Sequence, residues 1–569
     1  MGPQGLEIVR FYGRYYIYFR YHEYDDFPET LGAEIVASIP DDPKEYKKWL
    51  KAMRDEYAAK ENDLERHVYE IRDGSKPDYS KLRQFKTPPS EFPRLSNDAE
   101  FVYLINLDQQ VLTMNHSVHW KLGNIPRQNK LWFRAMVGSI HRGKPTISLD
   151  LCQEKHIASP ALDLPQREQE IGYDSRVVTS KTDLAEARKT FFMHVLASTL
   201  IEYKEDIIRF GMEWSSDALP FRELAFALVS IASGQSSFHS FPAQQCDPRI
   251  CDVWGCKSYH VRWSPGWLDE KLVDNSAPLL KFGSLCHRTG KPSGASPTET
   301  MHWLEDVLVS LAPVTDGKAI TKAVAWGIEQ GRANFLIVIL SLFKALFAEV
   351  SLGHDKQPFV RVSDPINLSP LRADYCVSTH SRMRPELKAG MKSRRRRGET
   401  IMNSNCTVTR RKLRTHFPGL AALVNFFEVA GNRRAASKSR GTFPLELYDR
   451  ILDFVDYGTW KTCLLVSTAV RSLCLRKYRL DDRTRIVAGP FVRLPEYSKH
   501  RVVSFNFENM HTGKILPMMW APHFFRTEKY NWMPVIGRGH QKALMLDVVV
   551  QFEPAKHLPV EADSDDGCG

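Results

Sequence analysis

Four side chains in this 569-residue chain have the types and spacing of a metal site: Cys246, Cys251, Cys256 and His260. Three soft thiolates and one imidazole could close a tetrahedron around zinc. Trp254, Tyr259 and Trp263 lie among them, however, and these are core-forming residues, so the expectation is buried reduced thiols and no structural metal. A second cluster, His22, Glu23, Asp25 and Asp26, has the composition of an acid/base or metal site. It falls between an aromatic stretch and the turn formers Pro28 and Gly32, where Asp serves turn chemistry equally well. There is no glycine-rich phosphate loop, no dinucleotide fingerprint, no HExxH and no GxSxG in the chain. Without a nucleophile and base at recognisable spacing, a non-enzymatic role is expected, with no cofactor.

A third group is purely electrostatic. Lys392 with Arg394, Arg395, Arg396 and Arg397, and then Arg410, Arg411 and Lys412, form two basic runs. Between Lys388 and Arg440 there are fourteen Lys or Arg against two acidic residues, so this segment alone accounts for the net charge of +11. The rest of the chain is close to neutral. These runs suit nuclear import or phosphate contact, and equally a solvated linker. Aromatic residues do not alternate with the charges, which argues against a single-strand-binding surface.

The elements that would position such groups follow from periodicity. Residues 7–21 are rich in Tyr and Phe and read as a strand pair or one long bent strand. A long amphipathic helix starts near Asp41, and a strand, a turn and a strand follow from Glu100. Further helices are predicted at 184–210, 221–232 and 299–312. The apolar run Phe335 to Leu352 carries Lys344 and Glu349, which a membrane span would avoid, so it reads as core: one or two buried strands or, nearly as well, a buried helix. Arg10, Arg14 and Arg20 interrupt the early apolar stretch, against a secretory signal, and the ten scattered cysteines are expected to be reduced thiols.

Residues 443–475 carry the most specific pattern. Pro444 suits a helix start and Glu446 lies near the positive end of the dipole. Leu447, Ile451, Phe454 and Val455 recur on one helical face. Tyr457-Gly458 breaks the period, Thr459 can cap a second helix, and Trp460, Cys463, Val466, Val470 and Leu473 mark its face. Two such short helices cannot bury both faces alone and must pack on the chain, on a partner, or on both.

The order of these residues resembles the F-box, the motif by which substrate receptors of cullin-based ubiquitin ligases hold the Skp adaptor. Phe443, Trp460 and Val470 stand where the usual pattern has Leu, Leu and an aromatic residue, and all three are apolar. Together with YHEYDDFPETLG at 21–32, SLCHRTGKPSGASPTETMHW at 284–303 and RLDDRTRIVAGPFVRL at 479–494, the chain is similar to a fungal family of F-box domain-containing proteins. The resemblance implies an adaptor-docking surface formed by Phe443, Pro444, Leu447, Ile451, Leu452, Val455, Trp460, Leu464 and Val466. Through the adaptor it implies a cullin, a protein substrate, and a nuclear or cytoplasmic location. The alternative is a nuclear nucleic-acid-associated protein using the basic segment. The expected fold class is α+β and multidomain: an N-terminal α/β region (1–352), a basic flexible linker (353–440), the F-box helical hairpin (441–480), a small β-rich C-terminal extension (481–556) and an acidic tail (557–569).

The metal question has a direct test. Elemental analysis of protein purified without added metal is expected to find no stoichiometric zinc. One equivalent per chain, lost in Cys251→Ser together with thermal stability, would instead reveal a structural site, whose loss costs on the order of 10 kcal/mol of folding free energy.

Overall fold

The computed structural model describes residues 4–20, 28–70, 99–114, 118–133, 172–175, 187–204, 207, 216–242, 280–281, 294–352, 358–372, 401–402, 410–436, 443–488, 505–513, 515–519, 530–538, 541–545, 548 and 550–552. His22, Glu23, Asp25, Asp26, the Cys246–His260 set, and Lys392 with Arg394–Arg397 lie outside them. The fold is α+β, built on three sheets. Among the described residues, no helix is long and apolar enough to cross a membrane.

The aromatic stretch near the N-terminus is a strand pair, β1 (Gln4–Phe11) and β2 (Arg14–Arg20), running antiparallel. Its turn places Tyr12 and Gly13 at φ 47 and 75, and both N–H groups donate to the Asp108 carboxylate at 2.8 and 3.0 Å. Two helices follow, α1 (Ala33–Ser38) and α2 (Pro43–Glu70). Then come β3 (Ala99–Asn106), β4 (Val111–Met114) and β5 (Val118–Lys121), giving the sheet order β2-β1-β3-β4-β5. Both faces of this sheet are covered. Val9, Phe11, Tyr16, Phe101 and Tyr103 pack with Leu50, Tyr57 and Leu64 of α2, while Leu6, Ile8, Tyr15, Ile17, Val102 and Leu104 point into the main core. Burial on two sides explains why the strands lack a clean polar alternation. Glu61 of α2 is held to β2 by Arg14 Nε at 2.7 Å and by the Tyr16 hydroxyl.

A short strand, β6 (Gly172–Ser175), precedes two helices that are apolar nearly all round, α3 (Ala187–Glu202) and α4 (Leu219–Ala232). Helices of this kind belong inside a protein. The strands β7 (Ser237–Pro242) and β8 (Leu280–Lys281) come next, followed by the hairpin β9 (Met301–Leu304) and β10 (Val307–Leu311). The helix predicted at 299–312 is therefore a strand pair. Glu305 turns the chain with φ 57, and Val307–Leu311 is buried on both faces, so a continuous apolar run stood in for alternation.

From β10 the chain crosses through α5 (Gly317–Glu329) to β11 (Phe335–Leu340), which lies parallel to β10. Asp316 caps α5 by accepting from Ala319 N at 2.9 Å. The apolar run from Phe335 divides into β11 and β12 (Lys344–Leu352), antiparallel as two buried strands. Ser341 makes the break, its Oγ accepting from Lys344 N at 2.9 Å.

The segment expected to be a flexible linker is instead structured over much of its described length. Strands β13 (Pro358–Val362) and β14 (Ile366–Asn367) complete the second sheet, ordered β6-β13-β12-β11-β10-β9 with β14 on β12. Helix α6 (Arg410–His416) buries Leu413, and α7 (Pro418–Ala436) buries Leu420, Leu423, Val424 and Phe427. The basic charge had masked an apolar helix lying between two groups of arginines. Arg410, Arg411 and Lys412 open α6 rather than a linker.

Helices α8 (Leu445–Phe454), α9 (Tyr457–Cys463) and α10 (Thr468–Arg476) follow directly. The last strands are β15 (Thr484–Ala488), β16 (Phe505–Asn509), β17 (Ile515–Met519), β18 (Tyr530–Arg538), β19 (Gln541–Leu544) and β20 (Val550–Phe552). They are not an independent extension: the third sheet runs β15-β16-β17-β20-β18-β19-β8, and β7 pairs with β18. Helices α3, α4 and α7 pack on one another, and between them they touch β12, β14, β15, β16 and β18. One continuous core thus joins residues from Leu6 to Val548.

Leu423 tests the corrected linker. It is fully buried on α7, so Leu423→Ala is expected to lower stability by about 2–5 kcal/mol in urea unfolding, whereas a linker position would change it by less than about 0.5 kcal/mol.

Candidate docking surface

The segment 443–476 forms three helices, where the sequence suggested two. The break inside the second arises because Ser467 is itself a cap, with its hydroxyl accepting from Val470 N at 3.2 Å. Asp456, not Thr459, caps α9: its carboxylate accepts from Thr459 N at 2.8 Å and from the Thr459 hydroxyl at 2.9 Å. The backbone bond from Thr459 also holds the Asp456 carboxyl below its ordinary pKa.

The nine residues expected to dock an adaptor divide into two sets. Leu452, Trp460 and Leu464 are buried within the chain, at 6 %, 1 % and 8 % exposure, and belong to the main core. Val455 is half-buried against that core. Phe443, Leu447, Ile451 and Val466 are exposed, as is Pro444. Leu445 and Phe454 join them and were missing from the expected set, although Phe454 shares the helical period of Leu447 and Ile451. Among the described residues, eleven large apolar side chains are exposed, and six of them fall between Phe443 and Val466. Such a concentration goes beyond the scatter of single exposed apolar residues normal for a folded protein.

The buried set explains how this surface is held. Trp460 stacks on Tyr457 at 5.9 Å and meets the Tyr478 ring edge-on at 5.2 Å, and Tyr478 in turn meets Phe192 of α3 edge-on at 5.3 Å. The Arg188 guanidinium lies over both Phe192 and Tyr478. It also pairs with Glu428 of α7, which Lys189 contacts at 3.0 Å. Burial by itself would raise the Glu428 carboxyl, but the two cations keep it below its ordinary value.

Backbone carbonyls at the helix ends are taken by cations from the same chain. Arg479 donates to Val455 O at 2.8 Å and to Leu452 O, closing the C-terminal end of α8. Arg471 donates to Asn432 Oδ1 at 2.9 Å and to Leu464 O at 3.1 Å. Its guanidinium lies against Gly431, where an added Cβ would stand 2.3 Å from Nη2, so a larger residue there would displace the Arg471 guanidinium. Tyr457 N donates to Asp482 Oδ1 at 2.6 Å, and Lys477 pairs with Asp449 at 2.8 Å. The helices are thereby tied to α3, to α7 and to the segment entering β15.

Lys461 supplies the remaining tie, donating to Gln235 O at 2.7 Å and Ser236 O at 3.0 Å just before β7. Arg538 of β18 reaches Gln235 Oε1 at 2.9 Å. Among the described residues, no group of three or more His, Cys, Asp or Glu could hold a metal ion. The described cysteines, Cys463 and Cys474, are free thiols.

The buried lysine has a pH signature. Burial first, and then the neighbouring Arg538 charge, bring Lys461 from 10.5 down to about 8. Between these values the unfolded chain binds more protons than the folded one, so stability rises with pH. The buried Cys474 thiol, which burial raises from 9.0 to about 12, opposes this above about pH 9, and the raised Tyr457 and Tyr478 hydroxyls do so above about pH 10. Urea unfolding between pH 8 and 9 is expected to show a positive slope that Lys461→Met removes.

No protein-family model, no curated protein and no solved structure matches the chain.

Proposed function

We propose that this chain is a non-enzymatic F-box substrate receptor whose segment 443–476 docks on the Skp adaptor of a cullin-based ubiquitin ligase. One observation carries the reading. Residues in the order expected of the motif lie on an ordered helical unit whose inner members, Leu452, Trp460 and Leu464, are taken by the chain's own core. Its outer members, Phe443, Leu447, Ile451 and Val466, stand in solvent. An ordinary core segment would bury both sets. A docking unit needs one set to fix its position and another to offer a partner.

In this role the chain brings a target protein to a transfer reaction performed by other subunits, and what it contributes is proximity and orientation. The sheets and helices outside 443–476 would hold the target. The competing reading, a nucleic-acid-associated protein, draws less support from Arg410, Arg411 and Lys412. They begin a helix whose Leu413 and Phe417 anchor it in the core, rather than lying on a free basic strand.

Ile451 is the discriminating position, being 49 % exposed and on the outer face. Ile451→Asp should leave the fold intact, since the new carboxylate is hydrated in the free chain. It should weaken adaptor binding by at least about 2–4 kcal/mol, because docking would strip that carboxylate of water without a partner charge. Co-purification of adaptor at wild-type levels with folded Ile451→Asp protein would overturn the proposal.

A further inference from the structure

Lys461 of α9 is a cation set inside the protein without a full counter-charge. Its ammonium donates to Gln235 O at 2.7 Å and to Ser236 O at 3.0 Å, which leaves one N–H unused. Among the described residues no carboxylate pairs with it, and Glu305, which attracts it from further off, is already engaged by Arg434 at 3.5 Å. Arg538 of β18 brings a second cation to the same turn, donating to Gln235 Oε1 at 2.9 Å. It too has no carboxylate partner among the described residues. Two cations on one turn repel each other, and carbonyl dipoles offset them only in part.

The turn holds two further groups in want of a partner. Gln235 N and Ser236 N donate to Ser230 O at 2.9 and 3.0 Å, so the chain folds back at the end of α4 and brings Ser236 to Ser230. These serines are 1 % and 2 % exposed, and neither hydroxyl has a hydrogen-bond partner among the described residues. A buried hydroxyl left unpaired costs stability, and Ser236 is the residue whose carbonyl Lys461 holds. The carbonyls ending α4 do not bar an anion from this place, because N–H groups of the turn already take Val229, Ser230 and Ile231 O. Gln235 is half-buried and Arg538 exposed, so the turn is open to water on their side.

We propose that Lys461, Arg538 and the hydroxyls of Ser230 and Ser236 form a binding site for a phosphate-sized dianion, inorganic phosphate or a small phosphate monoester. Such a ligand supplies what the turn lacks: negative charge for two cations and acceptor oxygens for two buried hydroxyls and the unused ammonium N–H. Charge-assisted hydrogen bonds of this kind are about twice as strong as neutral ones. The bound dianion would join α9, the turn after α4 and β18, three parts of the chain that meet here through single hydrogen bonds. It would also favour the charged form of Lys461, against burial and the Arg538 charge, which now hold that amine down. The site is independent of the proposed receptor function.

The test titrates the full chain with inorganic phosphate in a calorimeter, in chloride buffer of matched ionic strength, and repeats the urea unfolding between pH 8 and 9 with millimolar phosphate present. Saturable binding is expected, and phosphate should flatten the rise of stability with pH, because the ammonium is then worth keeping. Arg538→Gln, at an exposed position, should weaken binding by about tenfold without changing the melting temperature in chloride, and Ser236→Ala should weaken it by a similar factor. Lys461→Met should abolish it. O-phosphoserine titrated in parallel separates a site for the free ion, which it would not enter, from one that accepts a monoester. Absence of saturable binding overturns the proposal, as does wild-type affinity in folded Arg538→Gln and Ser236→Ala. Equal stabilisation of wild type and all variants by phosphate would be a general salt effect and would overturn it as well.

Discussion

Three helices that are apolar on nearly every side, Ala187–Glu202, Leu219–Ala232 and Pro418–Ala436, have no stable place in water, and the remaining architecture follows from covering them. They pack on one another, and strands of the second and third sheets lie against them. The inward face of the first sheet joins the same core through Leu6, Ile8 and Leu104. The short helices from Leu445 onward cover what is left, with Trp460 reaching Phe192 through Tyr478. Removing any one cover would expose the same central apolar surface. For this reason the chain has one main core where its length suggested several.

That dependence gives the helical segment 443–476 two distinct sides. Its inner side is specified by packing and by cations placed at carbonyl groups: Arg471, Arg479 and Lys461 each satisfy backbone or side-chain acceptors that would otherwise be buried unpaired. Its outer side has no such obligations, and its apolar residues leave about half or more of their surface in water. Exposed Phe443, Leu447, Ile451 and Phe454 are thus costs to solubility that folding does not explain.

The sequence made some of this legible and hid the rest for identifiable reasons. A run rich in Tyr and Phe located the first strand pair, and the Asp-Asp-Pro start located α2. The apolar run Phe335–Leu352 read as one or two strands, and the division falls at Ser341. Val307–Leu311 misled because a strand buried on both faces loses its period of two. The apolar helix of Pro418–Ala436 was hidden by charge averaged over a window far wider than the helix. For the docking surface, periodicity found the helix but not its orientation. Leu452 and Phe454 are equally apolar and two residues apart, and their opposite fates depend on tertiary contacts that no local pattern contains.

The pairing of Ser237–Pro242 with Tyr530–Arg538 also bears on how the chain comes off the ribosome. Its partners lie about 290 residues apart, and a contact so distant in sequence cannot form until synthesis is nearly complete. Until then the earlier strand, which carries Phe238, has an open edge, and α4 directly before it lacks the cover that β18 later provides. The nascent protein must therefore carry its most apolar helices incompletely covered through the translation of its entire second half. That cover is complete only once the strand Tyr530–Arg538 has been made.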